Sequence, residues 1–346
     1  MRRRAWSPQT EVTSANIASA AFGYVMSSLV SRRKFLGGLG VLAAGSLFSQ
    51  TSRTAGLTKS PFCIAVINDE ISQDFGRACA VASGFGMKWI ELRGMWNKNV
   101  LDLDSREIAE SLGLLKKYDL RVTDIASPLF KVDWPGGPKS KFSPKQDQFN
   151  AHFGFSQQDE VLEKCIELAR TFGADRVRCF DFWRLDDPKP HRAAINEKLR
   201  QAAEKAGGKG ITLLLENESA CNTATGAEAA QVLAAVKSSS FMLNWDPGNA
   251  AASGETPFPN GYNLLPKERI GHCHCKDVIR NGEKYDWAAM GKGFVDWVGQ
   301  FKALKRDGYH YAVSLETHWR GAGSAENSTT ASWAGMRDAL RKAAAL

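Results

Sequence analysis

The sequence contains no Cys-x-x-Cys pair, although it has seven cysteines. An odd number of cysteines argues against a framework in which every cysteine is paired in a disulfide. The seven are scattered along the chain, and most are expected to be small buried residues of an apolar core. The cysteines therefore point neither to a disulfide scaffold nor to a clustered cysteine site.

The main body of the chain also lacks an excess of charge. The formal net charge is +8, but residues 1–60 hold eight basic residues and one acidic residue, which leaves 37 basic and 36 acidic residues for 61–346. Non-specific electrostatic binding of nucleic acid needs a stripe of basic residues on the surface of the folded domain. We therefore predict that nucleic acid is not a partner.

The N-terminal segment has an apolar stretch of twelve residues, 37–48, which is too short to span a bilayer as a helix. It follows Ser-Arg-Arg-Lys-Phe-Leu at 31–36, and this twin arginine resembles the bacterial twin-arginine export signal. We interpret residues 1–59 as a leader that is removed, with the true start at Met1 or Met26. The domain at 60–346 is expected to be exported to the periplasm, with membrane contact only through the signal.

Eight short β-rich runs follow the leader, and amphipathic helical patterns lie between them, as at 105–118, 159–172 and 193–206. This alternation predicts parallel βα units, and eight units predict an α/β fold of the (β/α)8 TIM-barrel type. An open doubly wound sheet is the alternative, but no Gly-rich dinucleotide turn follows an early strand. The long connection at 128–158 is expected to cover the barrel mouth. The strand-like runs are 62–68, 88–93, 121–126, 175–181, 211–216, 241–246, 270–276 and 311–316.

Polar residues collect at the predicted C-terminal ends of these strands, where barrels place their chemistry. Buried ionisable residues are costly unless they are paired or bind a metal, so this rim is the candidate site. Structural roles remain open: Asp246 could form a turn, His272 could be a core histidine, and Lys276 with Asp277 is expected to form a buried ion pair. The strand-end residues are Glu91, Arg93, Asp124, Asp181, Glu216, Glu218, Asp246, Asn249, His272, His274, Glu316 and His318.

Four consecutive strands offer three carboxylates and one imidazole: Glu216, Asp246, His274 and Glu316. Such oxygen-rich ligation with one nitrogen suits Mn²⁺, Mg²⁺, Co²⁺ or Zn²⁺. We predict one divalent metal ion at this position.

The chain resembles the xylose-isomerase-like (β/α)8 superfamily of sugar isomerases and epimerases. The resemblance covers essentially all of 61–346 and rests on LLLENE (213–218), NWDPGNA (244–250), GHCHCKD (271–277), MGKGFVDW (290–297) and VSLETHW (313–319). It implies that the four residues above are the ligands of a single metal. It also implies a substrate contact for Arg280 and places His272 nearer the substrate or the barrel floor. From their positions at the strand ends we further predict substrate contacts for His272, Asn249, Glu218, His318 and Glu91. Asn249 and Glu218 stand where many relatives carry histidine.

The resemblance implies a metal-dependent isomerase or epimerase acting on a non-phosphorylated sugar, keto-sugar or polyol. A metal that chelates adjacent carbonyl and hydroxyl oxygens acidifies the neighbouring C–H and stabilises an enediolate. Glu216 and Glu316 are the candidate acid–base pair, although Glu218 or His318 could supply the second group. The alternatives are a lyase or dehydratase on a keto-sugar, keto-inositol or 3-keto-glycoside, a non-catalytic carbohydrate-binding barrel, and a DNA-repair endonuclease. A homo-oligomer is possible in this family.

Overall fold

Eight parallel strands form the centre of the protein, seen in a computed structural model that describes residues 57, 59–143 and 149–346. All described residues belong to one unit, Leu47–Leu346. The predicted export signal lies outside the described residues. The strands are β1 (Cys63–Val66), β2 (Trp89–Leu92), β3 (Gly94–Met95), β4 (Lys98–Asn99), β5 (Arg121–Leu129), β6 (Arg176–Cys179), β7 (Thr212–Glu216), β8 (Phe241–Trp245), β9 (Ile270–Cys275), β10 (Asp277–Asn281), β11 (Lys284–Ala288) and β12 (Ala312–Leu315).

The large sheet has the order β1-β12-β9-β8-β7-β6-β5-β2, and every neighbouring pair in it is parallel. A parallel bridge between Ile67 and Glu91 joins the two ends just beyond β1 and β2, so the barrel is nearly closed. Seven of the eight predicted runs contain one of these strands, and the run 121–126 covers the first six residues of β5. The predicted (β/α)8 barrel is therefore confirmed.

Helices follow the barrel strands, as the βα pattern requires. The predicted helices at 105–118, 159–172 and 193–206 are confirmed, with ends that differ by one residue. The helices are α1 (Asn68–Ile71), α2 (Phe75–Gly84), α3 (Ser105–Lys117), α4 (Gln158–Thr171), α5 (Arg192–Gly207), α6 (Gly226–Ala235), α7 (Pro247–Ala252), α8 (Tyr262–Leu264), α9 (Trp297–Arg306) and α10 (Ala325–Lys342).

Local capping sets where several helices begin. Asp104 caps α3 and Thr225 caps α6, each in a capping box with a glutamate three residues later, Glu107 and Glu228. These side chains satisfy backbone N–H groups that have no partner within the helix. None of the described helices is both long and apolar enough to cross a membrane.

A bulge in β9 sets which of its residues face the barrel interior. Leu243 pairs with Ile270, whereas Asn244 pairs with His272, so Gly271 is an extra residue in the ladder. A Cβ at position 271 would lie 2.8 Å from Leu214 Cδ2, so a larger residue here would require the Leu214 side chain to move. Beyond the bulge, the residues of β9 that face the barrel interior therefore begin with His272.

Two antiparallel hairpins were not predicted, β3–β4 and β10–β11. The second turns at Gly282-Glu283, between the paired residues Asn281 and Lys284, and Gly282 has a φ of 63°. A glycine at the first position of a two-residue loop is favoured in hairpins, so this element could have been found. The hairpin follows β9 directly and stands at the rim of the barrel.

Candidate metal centre

The four predicted ligands meet at one point. One ligand atom from each of Glu216, Asp246, His274 and Glu316 lies within 4.8 Å of all the others. His274 Nδ1 is the common neighbour, at 3.1 Å from Glu216 Oε1, 3.4 Å from Glu316 Oε2 and 3.8 Å from Asp246 Oδ2. All four residues are at most 2% exposed. We call these residues the carboxylate–histidine cluster.

Each member sits at the C-terminal end of a barrel strand. Glu216 ends β7, Asp246 follows β8, His274 lies in β9 and Glu316 follows β12, and these strands are neighbours in the sheet. Asp246 also caps α7, because its Oδ1 accepts a hydrogen bond of 2.8 Å from the Asn249 backbone N–H. Its turn-forming role and its place in the cluster therefore coexist, since its two oxygens face different ways.

A layer of buried polar residues lies deeper in the barrel than the cluster and orients His274. Glu91 Oε1 lies 3.0 Å from His274 Nε2, and Glu91 Oε2 lies 3.2 Å from His272 Nε2. His272 Nδ1 is in turn 3.5 Å from Asp124 Oδ1. A carboxylate on the far nitrogen of a histidine fixes the ring so that the other nitrogen can bind a metal. The structure thus places Glu91 and His272 behind the cluster.

Lys276 belongs to the site, and the predicted Lys276–Asp277 ion pair is wrong. The Lys276 ammonium lies 2.6 Å from Glu316 Oε2 and 2.8 Å from Asp246 Oδ2. Asp277 instead accepts backbone N–H groups, including those of Gly291 and Gly293 at 2.9 and 3.0 Å. Consecutive residues of an extended strand point to opposite faces, so these two side chains diverge.

Two buried arginines also contact the cluster. Arg178 Nη1 lies 3.1 Å from Glu216 Oε2. Arg93 Nη1 donates a 2.8 Å hydrogen bond to Glu316 Oε1, and its other nitrogens bind Asp69 and Glu70. Arg178 was missed by the sequence analysis, although alternation along β6 directs it inward.

The electrostatics of the cluster favour added positive charge. Burial lowers the pKa of His274, but Glu91, Glu216 and Glu316 outweigh burial and hold it well above the usual value. Burial raises the pKa of Glu216, but the charges of His274 and Arg178 bring it down to about 2. Glu216 is therefore anionic at neutral pH, as a carboxylate metal ligand must be.

The donor set fits a divalent cation. The carboxylates supply oxygens and His274 supplies one nitrogen, which suits Mg²⁺, Mn²⁺, Co²⁺ or Zn²⁺. Glu216 Oε2 and Asp246 Oδ2 are buried without a well-directed hydrogen bond, although each faces a cationic side chain. Buried polar atoms are rarely left in this state without a further partner.

The remaining predicted residues lie at different distances from this centre. Asn249 Nδ2 donates a 3.2 Å hydrogen bond to Glu216 Oε1, and His318 Nε2 lies 3.0 Å from Glu316 Oε1. Glu218 accepts a hydrogen bond of 2.6 Å from Lys131. Arg280 is exposed on the β10–β11 hairpin and donates to the Gly282 carbonyl, so the structure does not bring it to the cluster.

Phe149 lies against three of the cations that surround the cluster, a feature that the sequence did not reveal. Its ring centroid is 4.4 Å from Lys131 Nζ, 4.8 Å from the Arg178 guanidinium and 4.9 Å from the Arg93 guanidinium. These contacts place an aromatic side chain from the long connection at the barrel mouth, as was expected of that segment.

Replacing Arg93 by methionine should destabilise the fold. The change leaves Asp69, Glu70 and Glu316 without their shared buried cation, and breaking a buried pair costs about 3–5 kcal/mol. Urea unfolding measures the loss. Arg77→Met is the matched control, since Arg77 forms an exposed pair with Glu326 and its loss should leave the free energy of unfolding nearly unchanged. Equal stability of both variants would contradict this role of Arg93.

Solved structures share this barrel at low sequence identity. A probable 3-DHS dehydratase AsbF from Bacillus anthracis is 20% identical, with a TM-score of 0.60 over 79% of this chain and 97% of its own. The IOLI protein with a zinc atom is 16% identical, with a TM-score of 0.63 over 81% and 98%. A D-allulose 3-epimerase from Methylomonas sp., in complex with D-allulose, is 18% identical, with a TM-score of 0.59 over 82% and 98%.

The sequence comparisons agree with the barrel. None of the curated proteins matches the chain. The family model described as xylose isomerase-like TIM barrel matches residues 79–343, which is well over half of the sequence. The chain therefore belongs to the xylose isomerase-like TIM barrel family.

Proposed function

We propose that this protein is a divalent-metal-dependent isomerase or epimerase that acts on a non-phosphorylated sugar, keto-sugar or polyol. The observation that carries the proposal is the convergence of Glu216, Asp246, His274 and Glu316 at the mouth of the barrel. A site with three carboxylates and a histidine is built to hold a cation, and barrel enzymes react substrates at this end. Solved structures of the same fold include one named an epimerase and one that contains zinc.

The chain's own residues would move the proton. A divalent ion held by the cluster supplies a Lewis acid that polarises a substrate carbonyl. Glu216 ends β7 and Glu316 follows β12, and β8 and β9 lie between these two strands in the sheet. One carboxylate can remove a proton from a substrate carbon, and the other can return one from the opposite face.

A lyase or dehydratase is the second candidate, and one observation favours it. Glu316 is held by Arg93 and His318 at Oε1 and by Lys276 at Oε2. Although burial raises the pKa of Glu316, the positive charges of Lys276, His318 and His274 hold it well below its ordinary value, which makes Glu316 a weak base. An elimination needs only one base to take the proton, and Glu216 could serve alone, because it contacts two cationic side chains, Arg178 and His274, whereas Glu316 contacts four.

Proton exchange with solvent distinguishes the two. The protein with Mn²⁺ is incubated in D₂O with ketohexoses and with 3-keto-glycosides, and products are followed by NMR. An epimerase incorporates one deuterium at the inverted carbon for each turnover, because the proton is replaced from the solvent. A lyase instead releases the substituent next to that carbon. Both candidates would be contradicted if neither product nor deuterium exchange were seen with any of Mn²⁺, Mg²⁺, Co²⁺ and Zn²⁺. That result would favour a carbohydrate-binding barrel without turnover.

Export supports the choice of a non-phosphorylated substrate. The twin-arginine signal proposed at 31–36 would carry the folded protein to the periplasm, whereas sugar phosphates are chiefly intracellular. The near-neutral charge of 61–346 disfavours the DNA-repair endonuclease, which needs a basic groove. Homo-oligomerisation stays part of the proposal without a specific interface.

A further inference from the structure

Lys276 continues the row of inward-facing residues that His272 and His274 begin on β9. His272 contacts Glu91 and Asp124 below the cluster, and His274 lies in the cluster. Each second residue of a strand lies about 6.6 Å further along it. Lys276, which follows the strand, is therefore on the side of the cluster nearest the barrel mouth, from which a substrate enters.

The Lys276 ammonium has capacity for one more acceptor. The side chain is only 3% exposed and contacts Glu316 Oε2 and Asp246 Oδ2. An ammonium group has three N–H donors, so two carboxylate oxygens leave one donor. Among the described residues, no third acceptor lies within hydrogen-bond distance of Nζ. The group is a buried cation with a donor left for a ligand.

The surrounding chain holds the lysine stem in place. A Cβ at Gly248 would lie 2.5 Å from Lys276 Cγ and 2.9 Å from its carbonyl oxygen, so α7 approaches this residue as closely as glycine permits. On another side, the Trp287 ring centroid is 5.0 Å from Nζ. A cation fixed in this way needs little reorganisation when charge develops beside it.

We propose that Lys276 donates a hydrogen bond to the substrate oxygen that becomes negatively charged during the reaction. This inference rests on the proposed function. A carboxylate base takes the proton of the C–H bond, the electrons of that bond form the carbon–carbon double bond, and the carbonyl π pair moves to the oxygen. Lys276 keeps its protons and stabilises that oxygen, so the step requires no further reactant.

The experiment compares an anionic with a neutral ligand. Glycolohydroxamate presents two adjacent oxygens and a negative charge, as an enediolate does, whereas glycolamide is its uncharged counterpart. Both are titrated by calorimetry into the Mn²⁺-loaded wild type and Lys276→Met. We expect Lys276→Met to bind Mn²⁺ within about tenfold of wild type but glycolohydroxamate about 10- to 100-fold more weakly, the range of a lost charged hydrogen bond. Glycolamide affinity should change by less than about threefold, because it carries no charge.

Three further variants make the result specific. Lys276→Gln, a neutral amide, should lose glycolohydroxamate affinity as Lys276→Met does, and Lys276→Arg should recover part of it. Lys267→Met removes a half-buried lysine whose ammonium contacts the backbone carbonyls of Tyr262 and Leu265 and the Tyr262 ring, away from the cluster. This variant should bind both ligands as the wild type does.

The outcomes separate this inference from the proposed function. Unchanged glycolohydroxamate affinity in Lys276→Met and Lys276→Gln would overturn the role of Lys276 alone. Loss of Mn²⁺ binding in both variants, with full recovery in Lys276→Arg, would also overturn it, because the ammonium would then serve only the carboxylates. A wild-type protein that binds no Mn²⁺ would contradict the proposed function itself.

Discussion

Replacing Asp246 by asparagine should weaken Mn²⁺ binding by at least about 100-fold, because the loss of groups that merely orient a ligand already costs about 10- to 100-fold. Asparagine caps helices as well as aspartate does, so α7 should still form. Calorimetric titration with Mn²⁺ measures the effect. The matched control is Asp296→Asn, since Asp296 caps α9 through a 2.8 Å hydrogen bond from the Gly299 N–H and has no part in the cluster. Equal Mn²⁺ affinity of Asp246→Asn and Asp296→Asn would contradict the metal centre.

The same titration has an expected pH dependence. The cluster carboxylates hold the pKa of His274 well above its ordinary value despite burial, and a metal must displace the proton from Nδ1. The apparent Mn²⁺ affinity should therefore fall as the pH is lowered through and below this raised pKa, by about tenfold for each pH unit. The decline should begin above pH 6.5, the ordinary region for histidine. His310→Gln, which changes an exposed histidine, should leave this slope unaltered.

The fold was accessible from the sequence because βα alternation is a local pattern. Each of the eight runs is short and contains β-branched or aromatic residues, and amphipathic segments lie between the runs. The bulge at Gly271 was not accessible, because it depends on a close approach to Leu214 from another strand. The three extra residues of β5, which ends at Leu129, likewise depend on pairing with β6 rather than on local composition.

The carboxylates and the imidazole of the site were also predicted, whereas Arg178 was missed and Lys276 was expected to pair with Asp277. Strand-end carboxylates and histidines stand out because such residues are rarely buried without a reason. Arg178 looks in the sequence like an ordinary barrel residue, and the partners of Lys276 are not visible there. Their role depends on which carboxylate each one reaches, and Lys276 reaches Asp246 and Glu316 from a different strand. Sequence spacing along one strand contains no information on contacts between strands.

Glutamine at position 216 or 316 should abolish most turnover. General acid–base groups contribute about 10²- to 10⁴-fold, so Glu216→Gln and Glu316→Gln should each lower kcat by about that factor with saturating Mn²⁺. Saturation matters because both residues also belong to the metal cluster. Glu228→Gln is the control, since Glu228 binds Arg184 and the N-terminus of α6 and should leave kcat unchanged.

The two variants also separate one-base from two-base chemistry. If both glutamates handle protons, each variant stops inversion of the substrate carbon, and one of them still exchanges the substrate proton with D₂O from the intact side. If Glu316 is too strongly held by Arg93, His318 and Lys276 to act as a base, Glu216→Gln stops both exchange and turnover, whereas Glu316→Gln retains turnover. That second pattern favours the lyase, because elimination removes one proton and returns none to the carbon. Unchanged turnover in both variants would contradict the assignment of either glutamate to proton transfer.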